Sequence, residues 1–143
     1  FGLGFIPRRL WGHDGGAGTL GAALGAGISA ALWSAGAGWQ AAAAGLAIAA
    51  SLWAAAPFAR NGHDPGWVCM DETAGALLGL VGLTGWPWIA SLIVGRAADV
   101  TKLAPGVRAA ENRLPGAVGV TADDLVAGLY GLAAGWALRA SGL

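Results

Sequence analysis

The chain has 143 residues, the size of one domain, and 56% of them are hydrophobic while only 11% are charged. Eight Lys and Arg balance eight Asp and Glu, so the sequence offers no basic surface for nucleic acid. Its hydrophobicity excludes intrinsic disorder, and its single cysteine excludes a disulfide framework and a zinc site built from several cysteines.

The first predicted elements lie in a long segment without charge, residues 15–59. That length is enough for two helices of about 20 residues, which is what a membrane crossing requires. The small residues at 34–38 offer a break, so we predict a helical hairpin over 17–35 and 39–57. The alternative is a buried hairpin in a soluble core, but the remaining residues are too few to cover both helices.

A second uncharged segment, residues 73–95, contains a turn signal rich in Gly and Pro at 82–88. The two parts, 73–82 and 87–98, would each be about 15–18 Å long at 1.5 Å per residue, too short to cross a bilayer. We therefore predict a short, re-entrant-like hairpin. A last helix is predicted over 121–139, after a turn at Pro115-Gly116, with Thr121 as its N-cap and Asp124 completing a capping box.

The positions of the cations predict an orientation. With the N-terminus inside, seven cations lie on the inner side and Arg139 lies outside, in agreement with the positive-inside rule; the seven are Arg8, Arg9, Arg60, Arg96, Lys102, Arg108 and Arg113. The tryptophans are expected to form two interfacial belts. Three G-x-x-x-G pairs, which let helices approach closely, are found at Gly21/Gly25, Gly75/Gly79 and Gly131/Gly135.

The same layout brings most acidic residues to the inner helix ends, among four of the cations; the acids are Asp64, Asp71, Glu72, Asp99, Glu111, Asp123 and Asp124. They could be solvated loop and helix-end charges, with Arg96/Asp99 and Arg108/Glu111 as i,i+3 pairs. Ionisable groups at membrane level are costly, however, and are functional candidates by default. Carboxylates suit Mg²⁺ and cations suit phosphate, so the set indicates metal-assisted chemistry on a phosphorylated lipid.

Two negative observations narrow the chemistry further. The Gly-rich segment 15–21 leads into a helix whose free N–H groups could hold a phosphate. No Lys follows it as in a nucleotide-binding P-loop, so no nucleotide is expected. The sequence has no G-x-S-x-G motif, and Cys69 lies in an apolar stretch where it is expected to be a small buried residue.

Three blocks make the sequence similar to the phosphatidylglycerophosphatase A family. They are H-D-P-x-x-V-x-x-D-E-x-x-G at 63–75, R-x-x-D-x-x-K-x-x-P-x-x-R-x-x-E at 96–111 and G-x-x-G-V-x-x-D-D-x-x-A-G at 116–128. Near the start, Gly18-Thr19-Leu20-Gly21 is similar to the family's P-G-T-x-G-S. In the second block the chain has Leu103, Ala104 and Gly106 where the family has Pro, Trp and Ile.

The resemblance implies a single all-helical, membrane-associated domain over residues 1–143. It implies a Mg²⁺-dependent phosphatase in the bacterial inner membrane that hydrolyses phosphatidylglycerophosphate, with its active site facing the cytoplasm. Carried over by position, the catalytic acids would be Asp71, Glu72, Asp99, Asp123 and Asp124. The metal ligands among them would be Asp71, Glu72, Asp123 and Asp124. The substrate phosphate would be bound by Arg96, Lys102, Arg108 and Thr19.

Two other functions are considered. A non-catalytic membrane protein that binds cations or lipid phosphate remains the alternative. A phosphotransferase of the CDP-alcohol type is rejected, because its D-G-x-x-A-R motif is missing: the one Asp-Gly, at Asp14-Gly15, is not followed by Ala-Arg.

Overall fold

The structure is a computed structural model that describes residues 6, 9–10, 12, 16–59 and 69–142. Within these residues the predicted all-α fold is confirmed, with six helices and no strand. The helices are α1 (Ala17–Ala31), α2 (Ala37–Ala59), α3 (Met70–Gly79), α4 (Gly85–Thr101), α5 (Val107–Arg113) and α6 (Gly116–Ala140).

The first pair of helices differs from the predicted hairpin in one important respect. The chain reverses between Ala31 and Ala37, as expected, with Gly36 in the left-handed region (φ 94°). However, α1 and α2 hardly touch each other, because α3 packs against both of them and against α6. The short third helix is therefore the centre of the bundle.

The length of each helix also decides which could cross a membrane. In the described part of the chain, two helices are long and apolar enough to do so, Ala37–Pro57 within α2 and Gly116–Ala140. Helix α1 has 15 residues, which is shorter than the roughly 20 that a crossing needs. Of the two consecutive membrane-spanning helices that the sequence predicts, only α2 is therefore long enough. Several large apolar side chains face outward, among them Trp53 (81% exposed) and Ile93 (63% exposed).

The C-terminal half differs from the prediction in one helix boundary and one additional helix. Helix α6 begins at Gly116, with Pro115 as its N-cap, so Thr121 lies inside the helix and does not cap it. Its buried Oγ1 is instead 2.8 Å from Ser51 Oγ of α2. Helix α5 was not predicted; Gly106 begins it in the left-handed region (φ 91°).

All three G-x-x-x-G pairs lie at helix contacts, as predicted. The α-carbons of Gly21 and Gly25 face the backbone carbonyls of Cys69 and Thr73 in the α1–α3 contact. Gly75 and Gly79 face α6, and the third pair, Gly131/Gly135, faces α4. Side chains at these positions would separate the backbones, so the glycine content is what lets α3 and α4 lie directly on α6.

The end of the bundle that holds the α1–α2 and α3–α4 turns is closed by a buried polar network. Gln40 Nε2 donates to the carbonyl and the hydroxyl of Ser29, at 3.3 Å each, while its Oε1 accepts from the Gly82 N–H at 2.7 Å. Trp88 Nε1 donates to Ser29 Oγ at 3.1 Å. Arg139 donates to Gly82 O at the same end, far from the acidic residues.

Candidate active site

The site begins at the first turn of α3. Asp71 and Glu72 are its first acidic residues, at the end of a helix where negative charge is favoured. Asp71 is buried, with 5% of its surface exposed, and Glu72 is half-buried. The Glu72 N–H donates to Asp71 Oδ1 at 3.1 Å, so Asp71 satisfies one of the free amides of the first turn. Cys69, just before the helix, is buried as predicted.

Asp124 completes a cluster of three carboxylates. It lies on α6 where Gly75 of α3 packs against the Asp124 backbone, and it is buried, with 7% exposed. Asp71, Glu72 and Asp124 each offer an oxygen within 4.8 Å of the other two. The close approach of α3 and α6 therefore brings together acids that are more than 50 residues apart in sequence.

The electrostatics of this cluster favour a bound cation. Burial raises the pKa of Asp71 to about 9, and its hydrogen bond and charge repulsion with Glu72 add to the rise. Burial also raises the pKa of Glu72, and within the described residues its Oε2 is buried without a hydrogen-bond partner. Hard carboxylate oxygens with one oxygen left unpaired fit Mg²⁺, which prefers oxygen ligands and would relieve the repulsion.

Two charged residues of α4 lie beside the three acids. Arg96 Nη1 forms an ion pair with Asp99 Oδ2, which confirms the predicted i,i+3 pair. Both residues line the same cleft as Glu72 and Asp124. Gly18, in the first turn of α1, also lies against Glu72 and Arg96. A Cβ at this position would be 3.4 Å from Arg96 Nη2.

A second charged cluster lies next to the first and contains Asp123. Lys102 Nζ is 2.9 Å from Asp123 Oδ2 and 2.7 Å from Glu111 Oε2. Burial alone would lower the pKa of Lys102, but the two carboxylates raise it above its ordinary value. The structure therefore places Asp123, a predicted metal ligand, with Lys102 and outside the group of three converging acids.

Glu111, which the sequence places among the converging acids, has a different partner from the predicted one. The sequence predicts an i,i+3 pair between Glu111 and Arg108, but Glu111 binds Lys102 instead. The spacing R-x-x-E suggested the pair within α5, whereas the contact to Lys102 depends on how α5 folds back. The left-handed backbone of Lys102 (φ 50°) makes that reversal at the end of α4.

The remaining predicted site residues lie at the edge of the site or outside the described residues. Thr19 is exposed on the first turn of α1, next to Gly18. Arg108 is exposed on α5, and in the described part of the chain it forms no ion pair. His63 and Asp64 of the first sequence block fall outside the described residues.

Comparisons with known proteins identify the family of the chain. The family model described as Phosphatidylglycerophosphatase A matches residues 1–139. Searches of curated proteins and of solved structures found no match. The family description is that of a phosphatase in phospholipid metabolism. On this match over nearly its whole length, the chain belongs to the phosphatidylglycerophosphatase A family.

Proposed function

We propose that the chain hydrolyses phosphatidylglycerophosphate to phosphatidylglycerol and phosphate, with Mg²⁺ held by Asp71, Glu72 and Asp124. The observation that carries this proposal is the convergence of these three carboxylates beside Arg96, in a chain of this family. The enzyme would reside in a bacterial inner membrane with this site on the cytoplasmic side.

We assign a role to each residue of the site from its position. Arg96, which lines the same cleft as Glu72 and Asp124, would bind the oxygens of the phosphate monoester. Asp99 holds the Arg96 guanidinium through their ion pair. The first turn of α1 has free N–H groups, and these, with the exposed Thr19 hydroxyl, would donate to further phosphate oxygens.

The metal and the remaining acids complete the chemistry. When bound, Mg²⁺ supplies charge neutralisation of the phosphoryl oxygens. A carboxylate of the cluster accepts the proton of the attacking water. Lys102 pairs with both Asp123 and Glu111, so it holds the loop between α4 and α5 against α6. Arg108 would bind phosphate only from its exposed position on α5.

The test is release of inorganic phosphate by purified protein in detergent micelles that contain phosphatidylglycerophosphate. We expect EDTA to abolish the release and Mg²⁺ to restore it. Asp71→Asn and Asp124→Asn should each lower turnover about 100-fold or more, because each removes a ligand of a charge-stabilising group. Arg113→Gln, which removes an exposed charge of α5, should remain active.

Two results would contradict the proposal. Unchanged turnover in Asp71→Asn would remove this acid from the site. Tight Mg²⁺ binding without phosphate release from any lipid phosphate would favour the non-catalytic alternative.

A further inference from the structure

The loop between α4 and α5 holds an exposed leucine at the end of the bundle that contains the acid cluster. Leu103 of this loop is 82% exposed, and Val100, three residues earlier on α4, is 70% exposed. In water these side chains would forgo the gain that burial of apolar surface gives. Adjacent exposed apolar groups that are bordered by polar residues are typical of a surface that meets a partner or a membrane.

Contacts on both sides of Leu103 fix the loop that presents it. Lys102, the preceding residue, forms ion pairs with one carboxylate of α5 and one of α6. Two residues after Leu103, the carbonyl of Pro105 accepts a hydrogen bond from the Tyr130 hydroxyl of α6 at 2.8 Å. The outward direction of Leu103 is therefore set by the packing of its neighbours in the chain.

Helix α5 presents two cations that no acid of the same helix balances. Arg108 and Arg113 are exposed, and in the described part of the chain neither forms an ion pair. Glu111 lies between them in the sequence, but its carboxylate is 2.7 Å from Lys102 Nζ and is neutralised there. Because Val107 is buried against α4 and α6, the arginines occupy the side of α5 that faces away from the bundle.

The exposed side of α4 leads to the same region. Trp86, Ile93 and Val100 are all exposed, and their spacing of seven residues places them on one side of the helix. The distance from position 86 to position 100 is about 21 Å at 1.5 Å per residue, which is most of the roughly 30 Å of bilayer hydrocarbon. With this side of α4 against the acyl chains, Leu103 and the two arginines of α5 come to the level of the lipid headgroups.

We propose that Leu103, Arg108 and Arg113 form a docking surface for anionic phospholipids of the inner leaflet. Leu103 inserts among the acyl chains, and the two arginines bind the headgroup phosphates. A guanidinium matches the geometry of phosphate, and an anionic membrane surface attracts arginines that lie next to it. Apolar insertion and charge attraction together bind a membrane more strongly than either does alone. This inference goes beyond the proposed phosphatase activity and does not depend on it.

The test places a fluorescent probe on the docking surface and quenches it from the lipid. In a Cys69→Ala background, Leu103→Cys is labelled with bimane and reconstituted in phosphatidylcholine nanodiscs. These contain nitroxide-labelled phosphatidylglycerol or nitroxide-labelled phosphatidylcholine at equal mole fraction. Ile93→Cys, on the exposed side of α4, is the matched position. We expect both lipids to quench both positions. The anionic lipid should quench position 103 about three- to tenfold more efficiently than the zwitterionic lipid, and position 93 should show no preference.

Paired substitutions then test the two arginines. Arg108→Gln together with Arg113→Gln should abolish the preference at position 103 and leave quenching by the zwitterionic lipid unchanged, because the apolar contact remains. Arg108→Lys together with Arg113→Lys keeps both charges and should retain most of the preference. High salt should weaken the preference in the wild-type background. Both positions are exposed, so neither pair should lower the unfolding temperature appreciably.

Three results would overturn the docking surface. Absence of quenching at position 103 by either lipid would show that the loop faces water or another protein. Equal quenching by the two lipids, with both arginines present, would show that the surface does not select anionic headgroups. A preference that survives the two Gln substitutions would assign the selection to other groups. None of these measurements uses turnover, so the docking surface and the phosphatase can each fail without the other.

Discussion

Gly18 shows how closely a single backbone position borders the acid cluster. A Cβ at this position would be 2.5 Å from Glu72 Oε1 and 3.4 Å from Arg96 Nη2. The contacted atoms are the far ends of flexible side chains, so the fold can adjust, but Glu72 and Arg96 must then move. Glycine at this position therefore serves the geometry of the site more than the stability of the helix.

We expect Gly18→Ala to lower phosphatase turnover about 10-fold, because the displaced carboxylate no longer matches its partners. The unfolding temperature should change little, since alanine favours the helix. The control is Gly27→Ala in the same helix, where no atom lies within 4 Å of the added methyl group. That variant should be fully active and more stable by up to about 1 kcal/mol. Full activity of Gly18→Ala would contradict the close contact.

The protonation of Asp71 predicts how the stability of the metal-free protein depends on pH. Asp71 holds its proton up to about pH 9 in the fold, whereas the ordinary pKa of an aspartate side chain is 3.8. Between these values the folded state binds more protons than the unfolded state, so stability falls as the pH rises. We expect the unfolding temperature to decrease from about pH 5 to about pH 8.5, and Asp71→Asn to show a smaller decrease. Mg²⁺ should oppose the loss at high pH. An equal slope in wild type and Asp71→Asn would show that Asp71 titrates normally.

At the scale of helices, α3 holds the bundle together although it has only ten residues. It contacts α1, α2 and α6, and glycine contacts let it approach both α1 and α6. Gly75 is the most consequential of these, because the atoms it faces belong to the backbone and the β-carbon of Asp124. Neither can move without shifting α6.

Gly75→Ala should therefore destabilise the protein by about 1–3 kcal/mol, as expected for overpacking, and should also lower turnover because Asp124 is displaced. Thermal unfolding in detergent measures the first effect and phosphate release the second. Gly45→Ala, on an open face of α2 with no atom within 4 Å, is the matched control and should not destabilise. If both variants unfolded at the wild-type temperature, α3 and α6 could not be in close backbone contact.

At the scale of the whole molecule, the acid cluster and a group of tryptophans lie toward opposite ends of the bundle. Asp71, Asp124 and Lys102 lie at one end, while Trp33 and Trp88 meet edge-to-face at the other, with ring centroids 5.7 Å apart. Arg139 lies 4.9 Å over the Trp136 ring at that second end. Among the described residues two helices are long enough to cross a bilayer, and the proposed orientation has the acid end inside.

The orientation can be tested with single cysteines, because Cys69 is the chain's only cysteine. In a Cys69→Ala background, Ser34→Cys lies in the α1–α2 turn and Asn112→Cys lies on α5, at opposite ends. An impermeant maleimide added to spheroplasts should label position 34 directly and position 112 only after permeabilisation. The reverse pattern would invert the proposed orientation, and labelling of both from outside would contradict a spanning arrangement.

Much of this protein could be predicted from local patterns. Uncharged segments bounded by turn residues predicted four of the six helices, because the length of an apolar segment and the Gly or Pro residues that end it are both features of the local sequence. Helix ends were less accurate: Thr121 and Asp124 suited a capping box, but the helix continues back to Gly116. Thr121 lies within the helix, and its hydroxyl is paired with that of Ser51 at 2.8 Å.

The sequence by itself determined that acids and cations gather at the ends of a few apolar, glycine-rich helices. Only the tertiary structure decided which of them meet. Asp123 and Asp124 are neighbours in the chain, but successive residues of a helix point about 100° apart, so Asp124 faces Asp71 and Glu72 while Asp123 faces Lys102. Which of the two acids faces the cluster depends on the rotation of α6 about its axis relative to α3. The close contact at Gly75 sets that rotation, and no local sequence pattern predicts it.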